Sequence, residues 1–142
     1  MKCMFDEDMI VLGAEFADKI DAMKAAGDIL LKKGCIQAEY IDAMIEREEK
    51  VSVYIGNGVS IPHGVGGSEK YILRSGISFL QIPNGVSFGD EKIAYLVIGI
   101  AGIQDEHLEI LAKIAIACSD TGKTERLRKA KSKEEIQKIL EI

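Results

Sequence analysis

The chain is 142 residues long, 47% hydrophobic and 29% charged, with a formal net charge of −5 and a pI near 5.1. That length supports one core of ordinary size, and the balance is globular rather than disordered. The acidity argues against a nucleic-acid footprint, the one basic stretch being Lys123 to Lys133.

No apolar run approaches the roughly 20 residues that span a bilayer. The longest, around Ile93 to Ile103, carries glycines and reads as a buried strand. The first eight residues turn acidic at once, unlike a signal peptide, so a cytoplasmic protein with no membrane insertion is expected. Cys3, Cys35 and Cys118 are odd in number and widely spaced. They read as reduced thiols, not as a disulfide frame or metal site.

In chain order, Met9 to Leu12 reads as a first short strand punctuated by Gly13. Asp18 or a neighbour caps a helix running to about Lys33, with Gly34 beyond its end. A second helix spans about Ala38 to Glu48, with Tyr40, Ile41, Met44 and Ile45 as its apolar side and Arg47 at its C-terminal end. Val51 to Ile55 is β-branched and aromatic and reads as a strand. It leads into the loop Gly56-Asn57-Gly58-Val59-Ser60-Ile61-Pro62-His63-Gly64. Gly64 to Lys70 is a Gly- and Ser-rich connection. Ser75 to Ile82 reads as a strand, Pro83-Asn84-Gly85 as a turn, Val86 to Phe88 as a short strand or bulge, and Lys92 to Ala101 as a central strand. A third helix opens at Gln104 to His107, with Leu108, Leu111, Ala115 and Cys118 on one face and Ile110 and Ile114 alongside. Asp120-Thr121-Gly122 breaks it, a short basic helix follows, and Ser132 opens a final helix to about Leu140. No repeat or linker interrupts residues 1–142, so one α/β domain is expected.

The loop before His63 holds three of the features that fix a backbone. Glycines permit positive φ, Pro62 sets its own φ, and Ile61 is pushed toward an extended conformation. One imidazole is thereby presented at a fixed angle. The same pattern also describes a tight turn with an incidental histidine. His63 and His107 are the only histidines, and with no spaced cysteine pair they make a poor zinc set, which Asp90 or Asp105 would have to complete. There is no G-x-S-x-G and no Walker A sequence, and Gly56-Asn57-Gly58 is a weak nucleotide signal. Histidine as a nucleophile toward phosphorus is the reading that remains. Its charge partners would be Arg47, whose planar fork matches phosphate oxygens, His107, and the N-terminal amides of the helix His107 opens. A solvated helix-end charge and a water-satisfied helix-start residue are the plain readings of Arg47 and His107.

Taken together, Arg47-Glu48, the Gly-Asn-Gly-Val-Ser-Ile-Pro-His63-Gly stretch and Glu106-His107-Leu108 resemble the enzyme IIA domain of the fructose/mannitol family. That family belongs to the bacterial phosphoenolpyruvate-dependent sugar phosphotransferase system. The likeness spans essentially the whole chain, and Ile82-Pro-Asn-Gly-Val-Ser-Phe-Gly-Asp90 is most similar to the mannitol-specific branch.

The resemblance implies a single α/β domain with a mixed, mostly five-stranded sheet and helices on both faces. It also implies a phosphocarrier that needs no cofactor. His63 would accept a phosphoryl group from the small carrier HPr, on Nε2, and donate it to a cysteine of the IIB component. IIB would then phosphorylate the sugar as the IIC membrane component imports it. His107 and Arg47 would steady the phosphoryl group. A rim for docking partners is expected from Ile55, Val59, Ile61 and Gly102-Ile103. A regulatory, nitrogen-type IIA relative and a pure interaction domain are the competing readings.

Overall fold

The computed structural model describes residues 3–142. Two long strands carry its centre. β4 (Gly76–Ser87) and β5 (Ile93–Ala101) pair antiparallel. Ile77, Phe79, Leu96, Ile98 and Ile100 join one core, and Leu80, Ile82, Ala94 and Val97 join another. A strand covered on both faces needs apolar residues at every position, and Ile93–Ala101 has them.

β1 (Ile10–Val11) adds parallel to β4. A hairpin of β2 (Tyr54–Gly56) and β3 (Val59–Ser60) adds through β3, which runs parallel to β5. The sheet is therefore mixed and five-stranded, in the order β1-β4-β5-β3-β2. Helices cover both faces. α1 (Lys19–Lys32) packs Ala22, Met23 and Ala26 under one face, with α2 (Glu39–Lys50) beside it. α3 (Glu106–Ser119), α4 (Thr121–Lys129) and α5 (Lys133–Leu140) cover the other through Ile110, Ile114, Leu127 and Ile136. This is the expected α/β architecture.

The helix starts follow their capping residues. The Asp18 carboxylate accepts from the Asp21 amide at 2.9 Å, and the Ser132 hydroxyl accepts from the Glu135 amide at 3.2 Å. Asp120 ends α3 and caps α4, accepting from the Lys123 amide at 3.0 Å. Each such bond satisfies an amide that the first turn leaves free.

Three local expectations change. Pro83-Asn84-Gly85 is not a turn but part of β4: between Gln81 and Val86 the strand bulges, while its partner advances only from Leu96 to Ala94. Gly85 takes φ +75°, which a bulge accommodates, and the chain reverses later, at Gly89 (φ +131°). The strand expected from Val51 starts only at Tyr54, because the Val51 amide still bonds Arg47 of α2 at 3.1 Å. Finally, the loop before His63 contains a strand, β3. Asn57 (φ 52°) and Gly58 (φ 74°) are both left-handed, the geometry of a tight hairpin turn. The Asn57 side-chain Nδ2 donates to the Cys118 carbonyl at 2.9 Å and ties the hairpin tip to the end of α3.

Candidate active site

His63 follows β3 on a segment held at every residue. The Ile61 amide donates to Val53 O at 3.0 Å, and Pro62 O accepts from the Ile100 amide of β5 at 2.9 Å. The Gly64 amide donates to the Tyr40 hydroxyl at 2.9 Å. The ring's own Nδ1 lies 2.7 Å from Ile61 O. A carbonyl oxygen only accepts, so Nδ1 carries the proton and Nε2 keeps its lone pair. The segment therefore fixes a tautomer as well as an angle, and only 9% of the residue is exposed. Gly64 is required by close approach: a Cβ there would lie 2.6 Å from Tyr40 Cε1.

His107, the second residue of α3, faces His63 with ring centroids 5.6 Å apart and planes tilted by 57°. Its approach depends on Gly102. A Cβ on that residue would sit 2.4 Å from His107 Cα and 2.6 Å from its amide nitrogen. His107 Nδ1 is buried and makes no hydrogen bond with the described residues.

Arg47 stands in the last turn of α2 and donates from Nη1 to Val51 O. Next to it, buried Glu48 accepts from the Ser52 hydroxyl at 3.1 Å. These two bonds lock the helix exit, and Arg47 forms no carboxylate pair among the described residues. Arg47, Ile55, Ile61, His63, Leu108 and Leu111 border one apolar groove. The structure thus gathers Arg47, His63 and His107 from three separate elements.

Some expectations need correction. On α3, Cys118 does not share the face of Leu108, Leu111 and Ala115; the helix is apolar over a wide arc, and Leu108 is 70% exposed. Ile110, Ile114, Ala117 and Cys118 meet the sheet, while Leu108, Leu111 and Ala115 turn toward the groove. Val59 is fully buried in the sheet and contributes nothing to a rim, and Ile103 borders a different cleft with Cys3 and Ser75. The amides of Glu106 and His107 are already bonded to Ile103 O (3.0 Å) and Gln104 O (3.3 Å), so these two offer no cradle for an anion. Tyr40 was legible only as an apolar helix position. Its spacing of seven residues from Arg47, two helical turns along one face, is the signal that points it to the same place.

Burial holds the His63 imidazole below its ordinary pKa; the Ile61 carbonyl opposes this, and the Arg47 charge and His107 add to it. Burial also lowers His107, against the nearby Glu69 carboxylate. Both rings are thus neutral at pH 7, as a nucleophile must be. Between the lowered folded value and the unfolded value near ~6.5, the unfolded chain binds more protons, so stability rises with pH there. It is fully present above about pH 6.5 and falls as acidification carries each ring through its folded pKa. An NMR titration is expected to put both midpoints below about 6.5; a midpoint at or above that value contradicts the assignment.

Residues 3–142 match the family described as "Phosphoenolpyruvate-dependent sugar phosphotransferase system, EIIA 2". The chain belongs to this family. The mannitol-specific phosphotransferase enzyme IIA component of Geobacillus stearothermophilus is 50% identical over 131 residues, covering 92% of this chain and 90% of that protein. Among solved structures, the Escherichia coli complex of enzyme IIAMTL and phosphorylated enzyme IIBMTL matches with TM-score 0.90 and 35% identity, over 97% of this chain and 96% of that one. The nitrogen regulatory protein IIA-Ntr of Neisseria meningitidis is more distant within the same fold, at TM-score 0.82 and 28% identity, over 95% and 94% of the two chains. No helix among the described residues of this EIIA 2 family member is long and apolar enough to cross a membrane.

Proposed function

We propose that this protein is a cytoplasmic phosphocarrier of the mannitol branch of the sugar phosphotransferase system, with its single domain spanning residues 1–142. The observation that carries the reading is His63 held with Nδ1 on a carbonyl, which leaves the lone pair to Nε2, with its ring beside His107 and on the border of the Arg47 groove. Nε2 attacks phosphorus on the phosphohistidine of HPr; the new N–P bond forms as the donor's N–P bond breaks, and its electron pair returns to the HPr ring. The same exchange in reverse sense hands the group to a cysteine thiolate of IIB, which serves the IIC membrane component. The IIA–IIB complex of the Escherichia coli relative supports IIB as acceptor, while HPr and IIC follow from family membership.

Arg47 and His107 supply positive or hydrogen-bonding character where the phosphoryl oxygens gather. In a loose transition state such positioning matters more than covalent help. The apolar groove with exposed Ile55 and Leu108 offers both partners a face to dock on. Arg47→Lys replaces a planar fork by a point charge. Losing one charge-assisted bond of about 1.5–3 kcal/mol, it is expected to slow transfer about 10- to 100-fold with little change in melting temperature. Stopped-flow transfer from phospho-HPr measures this, and an unchanged rate would make Arg47 only a helix-end brace.

Reconstitution decides between transport and regulation. With enzyme I, HPr and the mannitol IIB and IIC components, the protein is expected to restore phosphoenolpyruvate-dependent mannitol phosphorylation. Acceptance of the phosphoryl group with no transfer to IIB would favour the regulatory, nitrogen-type reading. The 50% identity to a mannitol component, against 28% to the nitrogen protein, supports the first outcome.

A further inference from the structure

Ile100 of β5 reaches both sides of His63. Its amide donates to Pro62 O at 2.9 Å, on the peptide before the histidine. Its carbonyl accepts from the Tyr40 hydroxyl at 2.8 Å, and that hydroxyl accepts from the Gly64 amide at 2.9 Å, on the peptide after it. The four groups close a ring of hydrogen bonds around the single residue that carries the chemistry. One link of that ring is a side chain, and it comes from α2, the helix that also supplies Arg47.

We infer that Tyr40 is a positioning residue for phosphoryl transfer: its hydroxyl clamps Gly64 to β5 and so keeps the His63 ring in the orientation that bonds Nδ1 to Ile61 O and exposes Nε2. The inference rests on the reading of His63 as phosphoryl acceptor. Three observations support it. Tyr40 is fully buried, so its hydroxyl has no water to fall back on, and it uses both its donor and an acceptor lone pair in this bridge. Its packing against Gly64 is so close that a methyl group there would collide with the ring, so hydroxyl and glycine are fitted to each other. Burial raises the phenol to about 12, against the Gly64 amide bond and with the Glu69 carboxylate adding to it, so the bridge keeps its proton throughout the working pH range.

The clamp matters because the site tolerates little motion. Without the hydroxyl, Gly64 is held only by its covalent neighbours, and the ring is free to leave Ile61 O and exchange tautomers. A misplacement of about 1 Å costs on the order of 10²-fold in a reaction that depends on alignment. Phenylalanine retains the packing and removes only the bridge, so the variant separates positioning from bulk.

The test is Tyr40→Phe with two readouts. In phosphoryl transfer from phospho-HPr, the limiting rate is expected to fall about tenfold or more, while the HPr concentration giving half that rate changes less than about twofold. In ¹⁵N NMR of the unphosphorylated protein, the His63 ring is expected to pass from one Nδ1–H tautomer to a mixture. Unchanged rate and tautomer in a folded Tyr40→Phe protein would overturn the inference and leave the role of His63 intact. Absence of any phosphoryl acceptance by the unmutated protein would instead remove the underlying reading, while the tautomer readout still decides the clamp. If Tyr40→Phe does not fold, hydrogen exchange of the unmutated protein answers: a strongly protected Gly64 amide supports the clamp, and rapid exchange there refutes it.

Discussion

His63→Gln is expected to abolish acid-labile phosphorylation by phospho-HPr, a loss of at least about 10³-fold, while leaving the protein folded. The glutamine amide reaches about as far as Nε2 and places no donor at the Nδ1 position, but the bonds at Ile61, Pro62 and Gly64 that hold the segment are to the backbone and remain. What disappears is the lone pair on Nε2, for which an amide nitrogen is no substitute. Even the full loss of the Ile61 bond would cost only about 1 kcal/mol, which a domain of this size absorbs. Intact-mass measurement after incubation with phosphoenolpyruvate, enzyme I and HPr reads the result directly. Full labelling of the variant would move the acceptor elsewhere, with His107 as the first place to look.

Gly102→Ala is expected to have the second-largest effect, although residue 102 touches no phosphoryl group. Its Cβ would fall 2.4 Å from His107 Cα and 2.6 Å from the His107 nitrogen. These are backbone atoms of the first turn of α3 and cannot rotate out of the way, so the helix start has to move. Overpacking of this kind costs about 1–3 kcal/mol, a melting-temperature loss of roughly 3–12 °C for a domain of this size. His107 moves with the helix, away from a ring now 5.6 Å distant, and transfer is expected to fall about 10- to 100-fold. Gly66→Ala is the matched control for stability: its Cβ points into open space and its φ lies outside the left-handed region. Calorimetry that finds the two variants equally stable would mean that α3 can yield without cost.

The sequence and the structure agree where a signal is local and unshared. Asp18 and Ser132 are caps in both, because the side chain and the amide it serves lie three residues apart. The stiffness around Pro62-His63-Gly64 is likewise visible in residue types alone. Two Asn-Gly pairs show where this stops. Asn57-Gly58 closes a hairpin, while Asn84-Gly85 bulges a continuous strand, because what β5 pairs with decides the difference and no short window contains it. The direction of α3 was hidden for a similar reason. Two adjacent apolar stripes run along that helix, and only the sheet beneath chooses Ile110 and Ile114 for the core and leaves Leu108 and Leu111 beside His63. Tyr40 was hidden by burial itself, which makes an aromatic with a hydroxyl look like any other core residue until its partners at Ile100 and Gly64 are seen.

The proposed transfer turns on one atom, Nε2 of His63, which keeps its lone pair because Nδ1 is committed to Ile61 O. Combined ³¹P and ¹⁵N NMR of the protein phosphorylated through HPr tests this directly. A single phosphoryl group is expected on His63, with the Nε2 resonance coupled to ³¹P and Nδ1 still protonated. A phosphoryl group on Nδ1 of His63, or on His107, would contradict it.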